Sequence, residues 1–385
     1  MRIVCAASVL FGQEAFRTIG NVTVVPDRLI TRAEVQHADA LIVRSKTPIT
    51  AELLEGTSVS FVGTATAGTD HMDMDFLNTA PIAWCAAPGC NANSVAEYVM
   101  AALFCVAHRQ SMPLSGRTLG VIGVGEVGSR VAKKAEAIGL RVLRNDPPLA
   151  VTTGEPEYIE LVPLLELSDI VSLHVPLTER GPFPTYHMAD CHFFEHLRAG
   201  SFFINAARGE VMDSESLTLA LERGVVRHAV LDVWEDEPYL SPAMLARVDL
   251  GTPHIAGYSF EGRLNGTVSV YKELCHFLEV EPRWKPNERS LPTGYSIHID
   301  ARGKSDESAL WEVLKVAYNI EGDDLALRRG VESAQDDATR AMHFDDLRRE
   351  YPARREFAAT RVTCEHAGDA LIEKIRALGF HVSNA

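Results

Sequence analysis

The sequence predicts an α/β protein built on parallel sheets, and three observations predict it. From Arg117 onward, short apolar runs alternate with helical patterns: RTLGVIGVG, LRVLRND, DIVSLHVPL, SFFINAAR, RHAVLDVW and VDLGTPHIAG. Runs of this kind read as repeated βα units whose sheet is covered on both faces. One of the βα turns, GVGEVG, carries three glycines at a fixed spacing. The length of 385 residues is enough for two or three domains with cores that need no staple.

Taken in order, the N-terminal part repeats the same rhythm on a smaller scale in MRIVCAAS, NVTVVP, ADALIVRS, VSFVGTAT and APIAWCAA, which predict a second α/β unit. MRIVCAASVL has the single Arg and the apolar residues of a weak leader, but GQE interrupts it at once, so a first buried strand is expected. SVAEYVMAALFCVAH is apolar on most faces, as a buried helix would be. After Lys285 the pattern changes. PNERSLPTG is linker-like, and the remaining residues mix short strands with amphipathic helices such as ESALWEVLKVAYNI and DALIEKIRALG. This third unit shows no evident core of its own, so it is expected to pack on a second copy and form a homodimer. Within its REYPARREF stretch, Arg354 and Arg355 are expected to be surface charge, with the partner's active site as the alternative.

Composition narrows the functional class. A net charge of −15 argues against nucleic acid or an anionic membrane as partner, since either needs a basic field. An anionic small substrate remains possible where cations are concentrated locally. Seven cysteines, an odd number with no CxxC, argue against both a zinc site and a disulfide framework and for a reducing cytosol. No apolar segment approaches the roughly 20 residues of a membrane span.

The glycine turn is the first sign of chemistry. Gly123, Gly125 and Gly128 have GxGxxG spacing between a strand and a helix. The first glycine permits a tight turn, the second lets a pyrophosphate approach the backbone, and the third lets the helix pack on the sheet. Asp146 ends the next strand about 20 residues on, where a carboxylate accepts ribose hydroxyls and repels a 2′-phosphate, which favours NAD over NADP. A simple strand-end turn is the alternative for Asp146, and Arg144 beside it could soften the preference. Further along, Arg208 follows SFFINAA, Asp232 and Glu237 follow or end RHAVLDVW, and His254 follows VDLGTP. Ligands of open α/β sheets sit at the carboxyl ends of the strands, so these four side chains should converge on the cofactor crevice. Taking a hydride from a secondary alcohol requires a base for the hydroxyl proton, a role that the chemistry of a histidine side chain suits, which makes His254 the candidate. A carboxylate would orient that ring; Glu237 is the first candidate and Asp232 the second, with a structural bond to the loop backbone as its alternative role. Arg208 offers a planar fork for a carboxylate next to the reacting carbon. His108 and His174 read as structural, and His71 is an outside candidate.

These residues together resemble the D-2-hydroxyacid dehydrogenase family. The resemblance is carried in order by TAGTDHMDMDFL, APGCNANSVAEYVM, LGVIGVGEVGSRVA, HVPLT, INAARGEVMD, LDVWEDEP and TPHIAGYSFEG, over about residues 40 to 275. It implies a catalytic triad of Arg208, Glu237 and His254. It also implies a Rossmann NAD-binding domain (94–254) inserted in a flavodoxin-like substrate domain (1–93 and 255–285), followed by a C-terminal α+β dimerisation domain (286–385). Cofactor contacts are implied at Gly123, Gly125, Glu126, Val127, Gly128, Asp146, Val175, Ala206, Ala207, Arg208, Asp232 and Gly257. Substrate contacts are implied at Ser45, Thr66 and Tyr258. Arg44 and Lys46 in IVRSKT are the local cations that a phosphorylated 2-hydroxy acid would need, or simply an exposed polar strand end. Val175 stands in HVPLT where the more similar members have a hydroxyl residue, so a contact there must use the backbone. Two rivals remain: another dehydrogenase of the family, such as phosphoglycerate dehydrogenase, which a compact βαββαβ tail would favour, and a non-enzymatic NAD-sensing protein of this fold.

Overall fold

The structure, a computed structural model, describes residues 1–155, 157–287 and 291–384. Glu288, Arg289 and Ser290 of the linker-like PNERSLPTG lie outside the described residues. The first five strands are β1 (Arg2–Ala6), β2 (Asn21–Val25), β3 (Ala40–Val43), β4 (Phe61–Thr64) and β5 (Ala83–Cys85). Six more follow: β6 (Thr118–Ile122), β7 (Arg141–Asn145), β8 (Ile170–Leu173), β9 (Ser201–Asn205), β10 (Val226–Leu231) and β11 (Leu250–Gly251). Every apolar run singled out above contributes one of these eleven. Beyond them are β12 (Ser296–Asp300), β13 (Arg361–Glu365) and β14 (His381–Asn384).

The chain divides into two compact units, Met1–Ala92 with Ser259–Pro292, and Asn93–Tyr258 with Thr293–Ala385. The first holds a parallel sheet in the order β2-β1-β3-β4-β5, the flavodoxin-like winding. Strands β3 and β4 are buried along their whole length, and they pack with Val270, Tyr271 and Leu274 of the helix Phe260–Phe277 in one apolar core. Ser259 caps that helix by accepting from the Gly262 N–H at 2.8 Å.

The second unit is wound around a six-stranded parallel sheet, β11-β10-β9-β8-β6-β7. Strand β6 has β7 on one side and β8 on the other, so the winding reverses between β6 and β8. In sheets of this kind that reversal opens the ligand crevice. The helix Ala92–Arg109 is buried through most of its length, with Val99 through Leu103 fully enclosed.

The C-terminal segment adds a third sheet. Its three strands form a parallel sheet, β12-β13-β14, and part of its apolar surface is covered inside the same chain. Trp311, Leu314 and Phe357 join the core of the helix Ala92–Arg109, while Leu327, Val331 and Phe344 join the core around Phe203 and Trp234. A buried ionic cluster reinforces this seam. Glu97 accepts from the Phe357 N–H at 2.9 Å, Glu356 accepts from Ser94 and Asn93 at 2.7 Å each, and the Lys134 ammonium donates to the Leu378 carbonyl at 2.6 Å. Burial first, then the nearby Glu356 charge, pushes the Glu97 carboxyl up to about 8. Burial likewise lowers Lys134.

Candidate active site

The glycine turn is set by close backbone approach. Gly123 has φ +83°, and a side chain there would collide with the backbone of His174 and Val175, which come from the neighbouring strand end across the winding reversal. A Cβ at Gly128 would lie only 1.9 Å from the Gly123 carbonyl oxygen, so the helix Glu126–Ala137 can seat on the turn only through glycine. Gly125 is the opposite case: a Cβ there would meet nothing within 4 Å. This open ground in front of the first N–H groups of a long helix fits a dinucleotide's pyrophosphate. Asp146 serves the turn directly. One carboxylate oxygen accepts from the Val124 N–H at 2.8 Å and the other from Leu149 at 3.0 Å, capping the helix Pro147–Thr153. The structural alternative therefore holds for its first bonds, and lone pairs remain on both oxygens for ribose hydroxyls. Arg144 is turned to Glu136 and Glu157, at 2.6 and 3.8 Å, so its charge is already compensated.

The ends of β9, β10 and β11, adjacent in the sheet, bring the other candidates together. Asn205 fixes the turn after β9 by accepting from the Ala207 N–H at 3.0 Å and donating to the Arg208 carbonyl at 2.9 Å. Gly209 follows because a Cβ there would lie 2.0 Å from the Trp234 carbonyl oxygen, so the Arg208 turn touches the loop after β10. In that loop Glu237 accepts from the Trp234 N–H at 3.3 Å and meets His254 Nδ1 at 2.5 Å through its other oxygen. Burial alone would raise the Glu237 carboxyl. The His254 and Arg348 charges and the Trp234 N–H outweigh it and hold the group below its ordinary value. Glu237 is thus a carboxylate facing the ring.

His254 occupies a left-handed conformation, φ +54°, which a non-glycine residue adopts at a cost of about 1 kcal/mol. Asp232 supplies the compensation. Its carbonyl accepts from the His254 N–H at 2.7 Å, and its carboxylate accepts from the Thr252 hydroxyl and from the Ile255 and Ala256 N–H groups, at 2.7, 2.8 and 2.9 Å. Burial raises this carboxyl despite those bonds. The backbone role held as the alternative for Asp232 is the one its hydrogen bonds express; Glu237, not Asp232, bonds the His254 ring. Val175, Ala206 and Gly257 are half-buried around these turns, Glu126 is exposed and Ala207 buried.

Sequence reasoning missed who holds the far side of this loop. Arg354 is buried, with its guanidinium 4.2 Å from the Tyr318 ring centroid, and it donates to the Ala256 carbonyl at 2.5 Å and to Ile255 at 3.5 Å. The expectation of surface charge at Arg354 is therefore wrong: two carbonyls and an aromatic face within the chain solvate the cation. Before the loop, Asp324 accepts from the Gly251 N–H at 2.8 Å and pairs with Arg328, which donates to the Leu245 and Val248 carbonyls. Arg348 lies over Tyr258, its guanidinium carbon 5.6 Å from the ring centroid. The one available signal was the arginine-rich REYPARREF stretch in an acidic chain.

In the first unit, Arg44 and Ser45 directly follow β3 and Thr66 lies just beyond β4; these strands pair with Val43 opposite Thr64. Ser45 is exposed and Arg44 half-buried. The Thr66 hydroxyl donates to the Gly68 carbonyl at 3.0 Å and meets Thr64 at 2.7 Å, and Thr64 meets the His71 ring at 3.0 Å. His174 bonds the Ser172 hydroxyl at 2.9 Å, and burial lowers it to about 3, so it stays neutral. His108 packs its ring 5.6 Å from that of Trp311.

Comparison with known proteins agrees with these features. The NAD-binding domain model of the D-isomer-specific 2-hydroxyacid dehydrogenases matches residues 93–256, and a domain of unknown function matches 291–379. The chain is 42% identical over 380 residues to the erythronate-4-phosphate dehydrogenase of Edwardsiella ictaluri, covering 99% of each. An NAD+-bound 3-phosphoglycerate dehydrogenase of Entamoeba histolytica is 25% identical with a TM-score of 0.63, covering 74% of this chain and 99% of its own. A D-lactate dehydrogenase of Aquifex aeolicus, solved with NAD and lactic acid, is 27% identical with a TM-score of 0.58, covering 72% and 95%. About a quarter of this chain thus has no counterpart in these two solved dehydrogenases.

Proposed function

The chain belongs to the erythronate-4-phosphate dehydrogenases, within the D-isomer-specific 2-hydroxyacid dehydrogenase family, and from that premise we propose how its residues carry the reaction. The enzyme oxidises 4-phospho-D-erythronate at C2 to 3-hydroxy-2-oxo-4-phosphooxybutanoate, a step of pyridoxal 5′-phosphate biosynthesis. NAD, held by the glycine turn, Asp146 and the backbone near Val175, Ala206, Ala207 and Gly257, supplies the hydride acceptor. His254 takes the hydroxyl proton on Nε2, because Nδ1 is committed to Glu237. The Glu237 carboxylate fixes the ring's orientation and stabilises the imidazolium that forms. Arg208 binds the substrate carboxylate beside the reacting carbon, and Arg44, Ser45, Thr66 and Tyr258 complete the substrate contacts.

The observation that carries this reading is the 2.5 Å Glu237–His254 pair, held at the ends of adjacent strands in the sheet that bears the glycine turn. The test is nicotinamide absorbance with 4-phospho-D-erythronate, D-3-phosphoglycerate and D-lactate side by side. The first should have the highest kcat/KM. A higher value for either of the others, or turnover of none, overturns the reading.

The assembly we propose is a cytoplasmic homodimer. Apolar side chains still exposed on the C-terminal segment, among them Val316, Leu325 and Met342, support a contact there. Sedimentation of the full chain as a monomer at micromolar concentration would remove that idea. Among the described residues, no helix is long and apolar enough to cross a membrane.

A further inference from the structure

The substrate of this reaction is anionic at both ends. Arg208 is given the carboxylate next to the reacting carbon, and Arg44 is one cation offered to the phosphorylated acid; a doubly charged phosphate ester can take a second. A guanidinium of the C-terminal segment is placed for it. Arg348 lies near the end of the helix Asp337–Arg349, with its guanidinium carbon 5.6 Å from the Tyr258 ring centroid and 5.9 Å from that of Phe344. It is hydrogen-bonded to Tyr258 and close enough to Glu237 to act on it electrostatically. Its Nε is enclosed by protein, yet no acceptor for it exists among the described residues. A buried N–H on a cation without an acceptor is costly, and such a group in a native fold calls for an explanation.

The neighbouring carboxylate does not provide one. Glu237 turns one oxygen to His254 Nδ1 and the other to the Trp234 N–H, and neither meets the Arg348 Nε. Asp345, on the same helix, also acts on Arg348. The guanidinium therefore brings positive charge, with one N–H still unsatisfied, to the acid/base pair and to Tyr258, with phenyl and phenol rings as its walls. This arrangement suits a tetrahedral, doubly charged anion that enters with its own acceptors. The helix bearing Arg348 lies within the segment matched by the domain of unknown function, 291–379.

We propose that Arg348 is a specificity-determining residue that binds the phosphate ester of the substrate, so that the C-terminal segment of the chain selects the phosphorylated acid. The proposal rests on the substrate reading given above, and its test separates the two. In the NADH-loaded full-length enzyme, inorganic phosphate is titrated by calorimetry against the unmodified protein, Arg348→Gln and Arg348→Lys. With the same three proteins, kcat/KM is measured for 4-phospho-D-erythronate and for D-erythronate, which lacks only the phosphate.

Arg348→Gln should weaken inorganic phosphate at least about tenfold and lower the ratio of the two kcat/KM values about thirtyfold, the worth of a charge-assisted hydrogen bond. Arg348→Lys, which keeps the charge and fits the same space, should recover part of both losses. An unchanged ratio in Arg348→Gln, with both substrates losing equally, overturns the proposal and makes the residue a support of Glu237 or Tyr258. Unchanged phosphate affinity in both variants overturns it as well. If Arg348→Gln does not fold, Arg348→Lys decides on the same ratio, since a lysine cannot reproduce the guanidinium's two-toothed grip and should lower it severalfold. If the unmodified enzyme does not oxidise 4-phospho-D-erythronate, the substrate reading fails, while the phosphate titration still decides the role of Arg348.

Discussion

Two loops of the nucleotide-binding unit do related work and are built in contrasting ways. The glycine turn is made almost wholly from its own neighbourhood: Gly123 against Gly128, His174 and Val175, with Asp146 closing it at Val124. The His254 loop is held from far along the chain. Asp232 grips its N–H groups from inside the sheet, while Asp324 reaches its start and Arg354 its carbonyls from the C-terminal segment. A phosphate cradle needs only backbone shape, which glycines at a fixed spacing specify. A general base needs a ring fixed in one orientation on a strained backbone, and that takes side chains gathered from several elements.

The sharpest break in this comparison is His254→Ala. Turnover should fall about a hundredfold or more, while NAD affinity, measured by fluorescence titration, stays within about threefold because the glycine turn does not depend on that side chain. Comparable loss of both would mean that the two loops are not separable.

Arg354→Met tests the long-range half of the contrast. Removing the donor to Ile255 and Ala256 should cost about 2 kcal/mol in urea unfolding and lower kcat more than it raises the Kd for NAD. A variant with normal kcat would show that the loop holds its shape without the C-terminal segment.

The seam beneath that segment gives a pH signature. The Glu97 carboxyl stands at about 8 in the folded chain against an ordinary 4.5, so the folded state binds this proton more tightly than the unfolded chain does. Its contribution is complete below about 4.5 and is lost as pH rises through about 8. Urea midpoints should therefore decline across that window, with a slope below about 1.4 kcal/mol per pH unit because the buried Lys134 nearby is shifted in the opposite direction. Glu97→Gln should flatten the decline, and a slope that persists unchanged would assign it to other groups.

The smallest effect belongs to the local loop. Asp146→Ala removes a helix cap and one tie to the turn, worth about 1 kcal/mol of stability, and should narrow the preference for NAD over NADP in steady-state kinetics. An unchanged preference would limit Asp146 to its structural bonds.

The same contrast explains how much was legible in the sequence. All eleven strands before Lys285 could be read, because parallel strands buried on both faces leave continuous apolar runs. So could Gly123, Asp146, Arg208, Glu237 and His254, which fall at strand ends in recognisable strings. The bonds of Asp232 to Ile255 and Ala256 were visible only as an alternative. Arg354, Arg348, Asp324 and Arg328 were not legible as parts of the site. Their partners lie some 70 to 110 residues away, no periodic pattern encodes such a contact, and an arginine that ends up between a ring and two carbonyls looks in sequence like any surface cation.

Arg354 and Asp324 also set an order of events during synthesis. Domains fold largely as they leave the ribosome, N-terminal parts first. A nascent chain that has emerged through Lys285 already contains every residue of the cradle for the cofactor, but not the side chains that grip both ends of the His254 loop. The His254 loop is therefore expected to reach its working shape only when the segment beyond Lys285 docks, after every residue of the cradle has been made.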